Sequence, residues 1–362
     1  MTTSQVITTA FLLISITLIL FVSPSLFPNH HHPITSLFDF DDPEDLSLFR
    51  RASSPSSRKI SHLSFPRPIP LPKVAFLFLT NSNLTFSPLW DRFFNSSPSP
   101  RLFNIYVHAD PRCGFSDPLG HFHGRLIHSK PTERASPSLI AAARRLLATA
   151  ILDDPFNFYF AVVSQHCIPL HSFDYMYGSL FGHPVSGPNP NPFRSNPLRD
   201  PSGFKSFIEV LSDEPNLHER YVARGDHVML PEVPFNRFRV GSQFFILSKP
   251  HALTVIKDRK LWRKFRLPCL NNQLCYPEEH YFPTLLDMMD GDNCSGYTLT
   301  RVNWTGCYDG HPRVYQPEDV SADLVRSLRQ SEGDFSYFFA RKFAPDCLPL
   351  LMDLADDVIF RD

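Results

Sequence analysis

Two adjacent carboxylates, Glu278 and Glu279, stand in the segment CLNNQLCYPEEHYFPTLL (Cys269–Leu286), bounded by Pro277 and by the aromatic pair Tyr281-Phe282. A carboxylate beside apolar rings is partly desolvated, which raises its pKa and gives it the basicity of a proton acceptor. The same placement suits a helix N-terminus, where acidic side chains favour the positive end of the macrodipole. Residue types alone leave both readings open. His108-Ala109-Asp110 is triad material, but no Ser sits in a G-x-S-x-G elbow to use it, which argues against a hydrolase. No Walker loop, GxGxxG or HExxH is present, so nucleotide hydrolysis, dehydrogenase and zincin chemistry lose support. A glycosidase needs two opposed carboxylates, and no second one is evident. Asp290-Gly291-Asp292 is a literal D-x-D, the pattern by which many sugar-nucleotide transferases hold a divalent cation. Here it adjoins Asn and Cys in a turn-like stretch instead of following a buried strand, and it reads as a solvated loop.

Something must position such residues. Val74–Leu79 (VAFLFL), Asn104–His108 (NIYVH) and Asn157–Val163 (NFYFAVV) are short apolar runs of the kind that form buried strands. Between the second and third lies a helix that Ser136 can cap and Pro137 can open. Leu139, Ala143, Leu146, Leu147 and Ala150 share its apolar face, with Arg144 and Arg145 off that face. Strands alternating with helices predict an α/β domain with a largely parallel sheet, whose ligands bind at the carboxyl ends of the strands. Those ends are Thr80–Asn83, Ala109–Pro111 and Ser164–Pro169.

The chain has 362 residues, 43% of them apolar, enough for a substantial core, and 35 prolines that favour loops and strand edges over long helices. A net charge of −1 argues against a nucleic-acid coat, which would need a basic excess. Val6 to Phe27 carries no charge, and 22 helical residues span roughly 33 Å, enough to cross a bilayer. The reading is a short tail (1–5), an uncleaved signal anchor (6–27), a Pro/Ser-rich stem that stays extended (28–72) and a lumenal body (73–362). A cleaved signal peptide is the alternative for 6–27. Sequons at Asn83, Asn95, Asn293 and Asn303 fit a lumenal, glycosylated chain. The seven cysteines show neither CxxC nor zinc-site spacing, and an odd count leaves at least one unpaired in an oxidising lumen.

Seven pieces, in order over most of 73–343, resemble plant members of the core-2/I-branching transferases, glycosyltransferase family 14. They are KVAFLFLT, FNIYVHADP, RRLLATAILDDPFNFYFAVVSQHCIPL, VGSQFFILSKPHA, CYPEEHYFPTLL, VNWTGCYDGHPR and FFARKF. The resemblance implies a GT-A-type fold with a mainly parallel central sheet, a type II Golgi membrane protein and an inverting transfer from a UDP-sugar, with no metal or other cofactor. The transferred sugar would be N-acetylglucosamine in β-1,6 linkage to a glycan or glycoprotein. Glucuronosyl transfer to arabinogalactan and an inactive glycan-binding or scaffold member are the alternatives. Glu279 matches the catalytic base, with Glu278 expected to point elsewhere. Arg313 and Lys342 match the pair that neutralises the departing diphosphate, and Asp110 the position that contacts uridine. Trp304 resembles the aromatic on which the acceptor sugar packs. Glu209 and Arg220 fall where the family has acceptor-binding polar residues.

The chain departs from its relatives at Arg134-Ala135, where they carry Trp-Gly, at Ala143, where they carry an acid, and at the Phe238–Phe244 block. The 131–138 loop adjoins the donor site that the resemblance implies, so donor or acceptor preference can shift here, or activity be lost. Cys307 matches a disulfide position of animal relatives whose partner position is Gln316 here, so any bridge is rerouted. Cys269–Cys275, closing a short loop, is the expected pair.

Overall fold

The structure, a computed structural model, describes residues 42–54, 71–182, 203–307 and 311–362. The expected span at 6–27 and much of the stem lie outside the described residues. Among the described residues no helix is long and apolar enough to cross a membrane.

The three apolar runs form strands β1 (Lys73–Thr80), β2 (Phe103–Ala109) and β3 (Asn157–Ser164), each within a residue or two of its expected limits. Shorter strands follow: β4 (Ile168–Pro169), β5 (Ser206–Glu209), β6 (Ile246–Ser248), β7 (Cys294–Gly296), β8 (Thr300–Val302) and β9 (Phe339–Arg341). A six-stranded sheet has the order β2-β1-β3-β6-β5-β7. Pairings β2/β1, β1/β3 and β5/β7 are parallel, whereas β6 runs antiparallel to both neighbours. The sheet is thus mixed and mainly parallel, which fits the expected GT-A-type fold. A small second sheet, β4-β9-β8, flanks it.

The longer helices are α1 (Pro43–Ser53), α2 (Ser87–Asn95), α3 (Pro137–Asp153), α4 (Phe173–Phe181), α5 (Lys249–Lys257), α6 (Pro277–Asp290) and α7 (Ala322–Arg329). Strand β1 shows why they pack as they do. Val74, Phe76 and Phe78 point into one apolar layer with Trp90, Phe93 and Phe94 of α2, while Ala75, Leu77 and Leu79 point into another with Leu146 and Leu147 of α3. Burial on both faces needs a continuous apolar run, not an alternating one. The chain's many phenylalanines gather in the first layer, where Phe76 meets the Trp90, Phe93 and Phe94 rings edge-on at 5.1–6.0 Å.

Helix α3 starts as expected: the Ser136 hydroxyl accepts the Ser138 N–H at 3.2 Å and Pro137 opens the first turn. Its two arginines do not lie outside the core. Arg144 is 1% exposed, with its guanidinium 4.7 Å from the Phe49 ring and 5.0 Å from that of Trp262, and donates to the Asp258 carbonyl at 2.7 Å. Arg145 is buried and donates to His108 Nε2 at 3.1 Å. Apolar counting missed them because aromatic faces and one carbonyl receive the Arg144 guanidinium and His108 receives that of Arg145, where a hydrophobicity scale places both outside.

The stem reading needs one correction. Residues 43–53, expected to stay extended, form α1, and its Phe49 and Ala52 are buried beside the α3 layer. Acidic residues in its first turn and basic ones in its last complement the macrodipole. Cys269 and Cys275 are joined as expected, with Cα atoms 6.1 Å apart, while Cys113, Cys167, Cys294, Cys307 and Cys347 are free thiols.

Candidate active site

A cleft of about 770 Å³ opens at the carboxyl ends of β1 and β3, bordered there by Thr80, Asn81, Ser164, Gln165 and His166. Two of the three strand ends marked in the sequence therefore meet at one site, as open α/β sheets dictate. The opposite wall is the first turn of α6. Helix α6 starts at Pro277, so Glu278 and Glu279 occupy the positive end of its dipole and face the cleft together. The two readings of the acidic pair are compatible.

Glu279 keeps a third of its side-chain surface open, and its Oε2 accepts from Arg220 Nη1 at 3.0 Å. Burial pushes its carboxyl above the ordinary range, and the Arg220 charge opposes that rise. The result suits a proton acceptor: a carboxylate made more basic by burial, with one cation held against it. Glu278, expected to point elsewhere, lines the cleft as well, though it is 3% exposed. Its Oε1 accepts the Ala135 N–H at 3.0 Å, and burial raises its carboxyl to about 7.

Glu209, at the end of β5, lines the same cleft, its carboxyl raised by burial and in lesser part by Glu279. Gly241 joins the two glutamates. Its N–H donates to the Glu279 carbonyl at 2.8 Å, and a Cβ there would stand 2.1 Å from the Glu209 carbonyl oxygen. Only glycine permits this approach. Trp304, 53% exposed, and Lys342 also border the cleft. Glu279, Arg220, Glu209, Trp304 and Lys342, spread over more than a hundred residues, are thus brought to one place.

Two expected residues stand apart. Arg313 is half exposed and pairs with Asp319 at 2.6 Å; its neighbours His311 and Pro312 line the cleft, but Arg313 does not. Asp110 is buried against the cleft wall. Its carboxylate accepts the Thr132 N–H at 2.8 Å and meets Arg112 Nη2 at 2.9 Å. The Arg112 hydrogen bond, with the Thr132 and Arg112 N–H groups, holds Asp110 well below the usual carboxylate range. Its oxygens are committed to bracing the 131–136 loop.

Sequence reasoning did not assign Arg134, Arg341, His166 or His311 to the site, yet all four line the cleft. Arg341 could have been found, since it adjoins Lys342 in FFARKF. Arg134 was marked only as a departure. Its Nη1 lies 2.7 Å from His311 Nε2, which must accept because a guanidinium only donates. The Tyr276 ring lies between two cations, Arg134 at 5.4 Å and Arg220 at 5.3 Å from its centroid. His108 is buried, lowered to about 4 first by burial and then by the Arg145 charge, and takes no place in the cleft. The Asp290-Gly291-Asp292 stretch also lies outside the cleft lining; Asp290 accepts from Asn293 Nδ2 at 2.9 Å and faces His251 at 3.2 Å. Of the sequons, Asn83 and Asn95 are exposed, and Asn303 directly precedes Trp304.

A mixed, mainly parallel α/β sheet with a carboxylate- and arginine-lined cleft at its strand ends fits a GT-A-like fold. The Core-2/I-Branching enzyme profile matches residues 74–186 and 197–329, so the chain belongs to that family and is a glycosyltransferase. It is similar to Glycosyltransferase BC10 of Oryza sativa subsp. japonica, with 27% identity over 342 residues that cover 79% of this chain and 78% of that protein.

Proposed function

We propose that the protein moves a sugar from its UDP form to a glycan or glycoprotein acceptor by an inverting displacement, with Glu279 as the base. One observation carries this reading: the Glu279 carboxylate, raised by burial, faces the same cleft as Trp304 and Lys342. The acceptor hydroxyl gives its proton to Glu279 as its oxygen bonds to the anomeric carbon, while the bond to the diphosphate oxygen breaks. Lys342, with Arg341 beside it, neutralises the departing charge, as fixed cations do in place of a metal ion. Arg313 could share that role only by leaving Asp319. N-acetylglucosamine in β-1,6 linkage is the proposed transfer, with glucuronosyl transfer to arabinogalactan as the close variant, and turnover should survive excess chelator. The body is proposed to lie in the Golgi lumen behind a single N-terminal span; protease added to intact microsomes should leave it whole.

The test is Glu279→Gln, nearly isosteric. It should lower UDP release at least roughly 10²-fold while UDP-sugar binding stays near wild type. Retained turnover would remove Glu279 from the base role. The Arg313–Asp319 pair outside the cleft and the Arg134-Ala135 substitution favour a second reading, glycan binding without transfer. A wild-type chain that binds UDP-sugars but releases no UDP would establish it.

A further inference from the structure

Loop 131–136 brings Thr132, Glu133 and Arg134 to the cleft on backbone that belongs to no strand, joining α3 only at its cap. Three contacts fix its path. Thr132 gives its N–H and its hydroxyl to Asp110, at 2.8 and 3.2 Å. The Glu133 N–H reaches Ser138 Oγ at 2.9 Å. At the far end Ala135 sits at φ 55°, in the left-handed region, and donates its N–H to Glu278 Oε1 at 3.0 Å. A residue with a Cβ pays for that conformation with about 1 kcal/mol or more, so the surroundings must hold it there.

Glu278 looks costly for a packing residue. It is 3% exposed, and its other oxygen, Oε2, is buried without a hydrogen-bond partner among the described residues. An apolar side chain of the same volume would fill the space without that penalty. What the carboxyl supplies is an acceptor for Ala135. We infer that Glu278 is a positioning residue: its Oε1 latches loop 131–136 to the first turn of α6 and so holds Arg134 at the cleft. The latch works whether or not Glu278 is ionised, because a proton on Oε2 leaves Oε1 able to accept. It also ties the loop to the residue beside the proposed base.

The kinetic readout rests on the transferase reading above; the structural readout does not. In the full-length chain, Glu278→Gln keeps an acceptor oxygen facing Ala135, whereas Glu278→Met fills the volume without one. The Met variant removes a buried carboxyl and fills its volume, and its urea unfolding midpoint shows that it folds before its kinetics are compared. Expected for Glu278→Met is a rise of about tenfold in KM for the UDP-sugar, with kcat changed less than about threefold, and faster amide exchange over 132–136. Expected for Glu278→Gln is a change within about threefold in both constants, with wild-type exchange. Wild-type KM or wild-type exchange in Glu278→Met overturns the inference. So does Glu278→Gln behaving as badly as Glu278→Met, which would mean that charge matters rather than the acceptor. A wild-type chain that releases no UDP from any UDP-sugar would instead sink the transferase reading, and the exchange comparison would still decide whether the latch exists.

Discussion

Burying Glu278 has a pH signature that can be measured without any substrate. Its carboxyl rises from 4.5 to about 7, first because it is buried and then because Glu279 lies beside it, against the Ala135 N–H and the Arg134 charge. With the residue only 3% exposed, solvent screening takes little from the effect. The folded chain therefore holds this proton across the window from 4.5 to about 7, where the unfolded chain has lost it. Glu278 favours folding below that window, and the contribution is lost as pH rises through it. The full shift corresponds to about 3 kcal/mol. Glu278→Gln cannot ionise, so relative to wild type it should gain about 2–3 kcal/mol between about pH 5 and about pH 8. Urea unfolding of both proteins at the two pH values gives the double difference, in which titrations common to both chains cancel. A difference that stays flat, or that grows toward acid, would show that Glu278 is not buried as a carboxyl and would undermine the latch.

Three further outcomes follow from the same cleft. Gly241→Ala drives a Cβ to 2.1 Å from the Glu209 carbonyl oxygen. It should cost about 1–3 kcal/mol in unfolding and at least about tenfold in turnover, and a stable, fully active variant would contradict the geometry. Arg220→Met removes the charge that opposes the rise of the Glu279 carboxyl, so the acid limb of kcat/KM should move to higher pH; a shift to lower pH would break the proposed pairing. Lys342→Ala should weaken UDP binding measured by calorimetry, while Arg313→Ala, outside the cleft, should leave it within about threefold. The reverse ranking would show that Arg313 leaves Asp319 when the donor arrives.

The parts of this molecule that could be read from its sequence are those where short-range chemistry decides. Val74–Leu79 reads as a strand buried on both faces because no polar residue interrupts it, and Ser136-Pro137 reads as a helix start because cap and first turn are adjacent in the chain. Glu279 could be placed beside Trp304 and Lys342 only through the resemblance, since nothing local links residues so far apart. What could not be read depends on partners distant in sequence. Arg144 is inside because Phe49 and Trp262 offer their ring faces. Arg313 points away from the cleft lining, paired with Asp319 six residues further along. Asp110 is buried because Thr132 and Arg112, both outside its strand, supply donors to its carboxylate. Helix α1 lay hidden in a stretch rich in Pro, Ser and charge, because few of its side chains, Phe49 and Ala52 among them, enter the core.

The Cys269–Cys275 bridge ends one residue before Tyr276, whose left-handed backbone at φ 34° turns the chain into α6. A ring closed over so few residues removes little freedom from the unfolded chain, so its influence is local. That locality sets the tether at the entry to α6, next to the turn that carries Glu278 and Glu279. Made in a reducing cytosol, the chain could assemble its sheet and both apolar layers and still present Glu279 on an untethered approach. Far-ultraviolet spectroscopy would read such a chain as folded, because the bridge lies outside both apolar layers and the sheet.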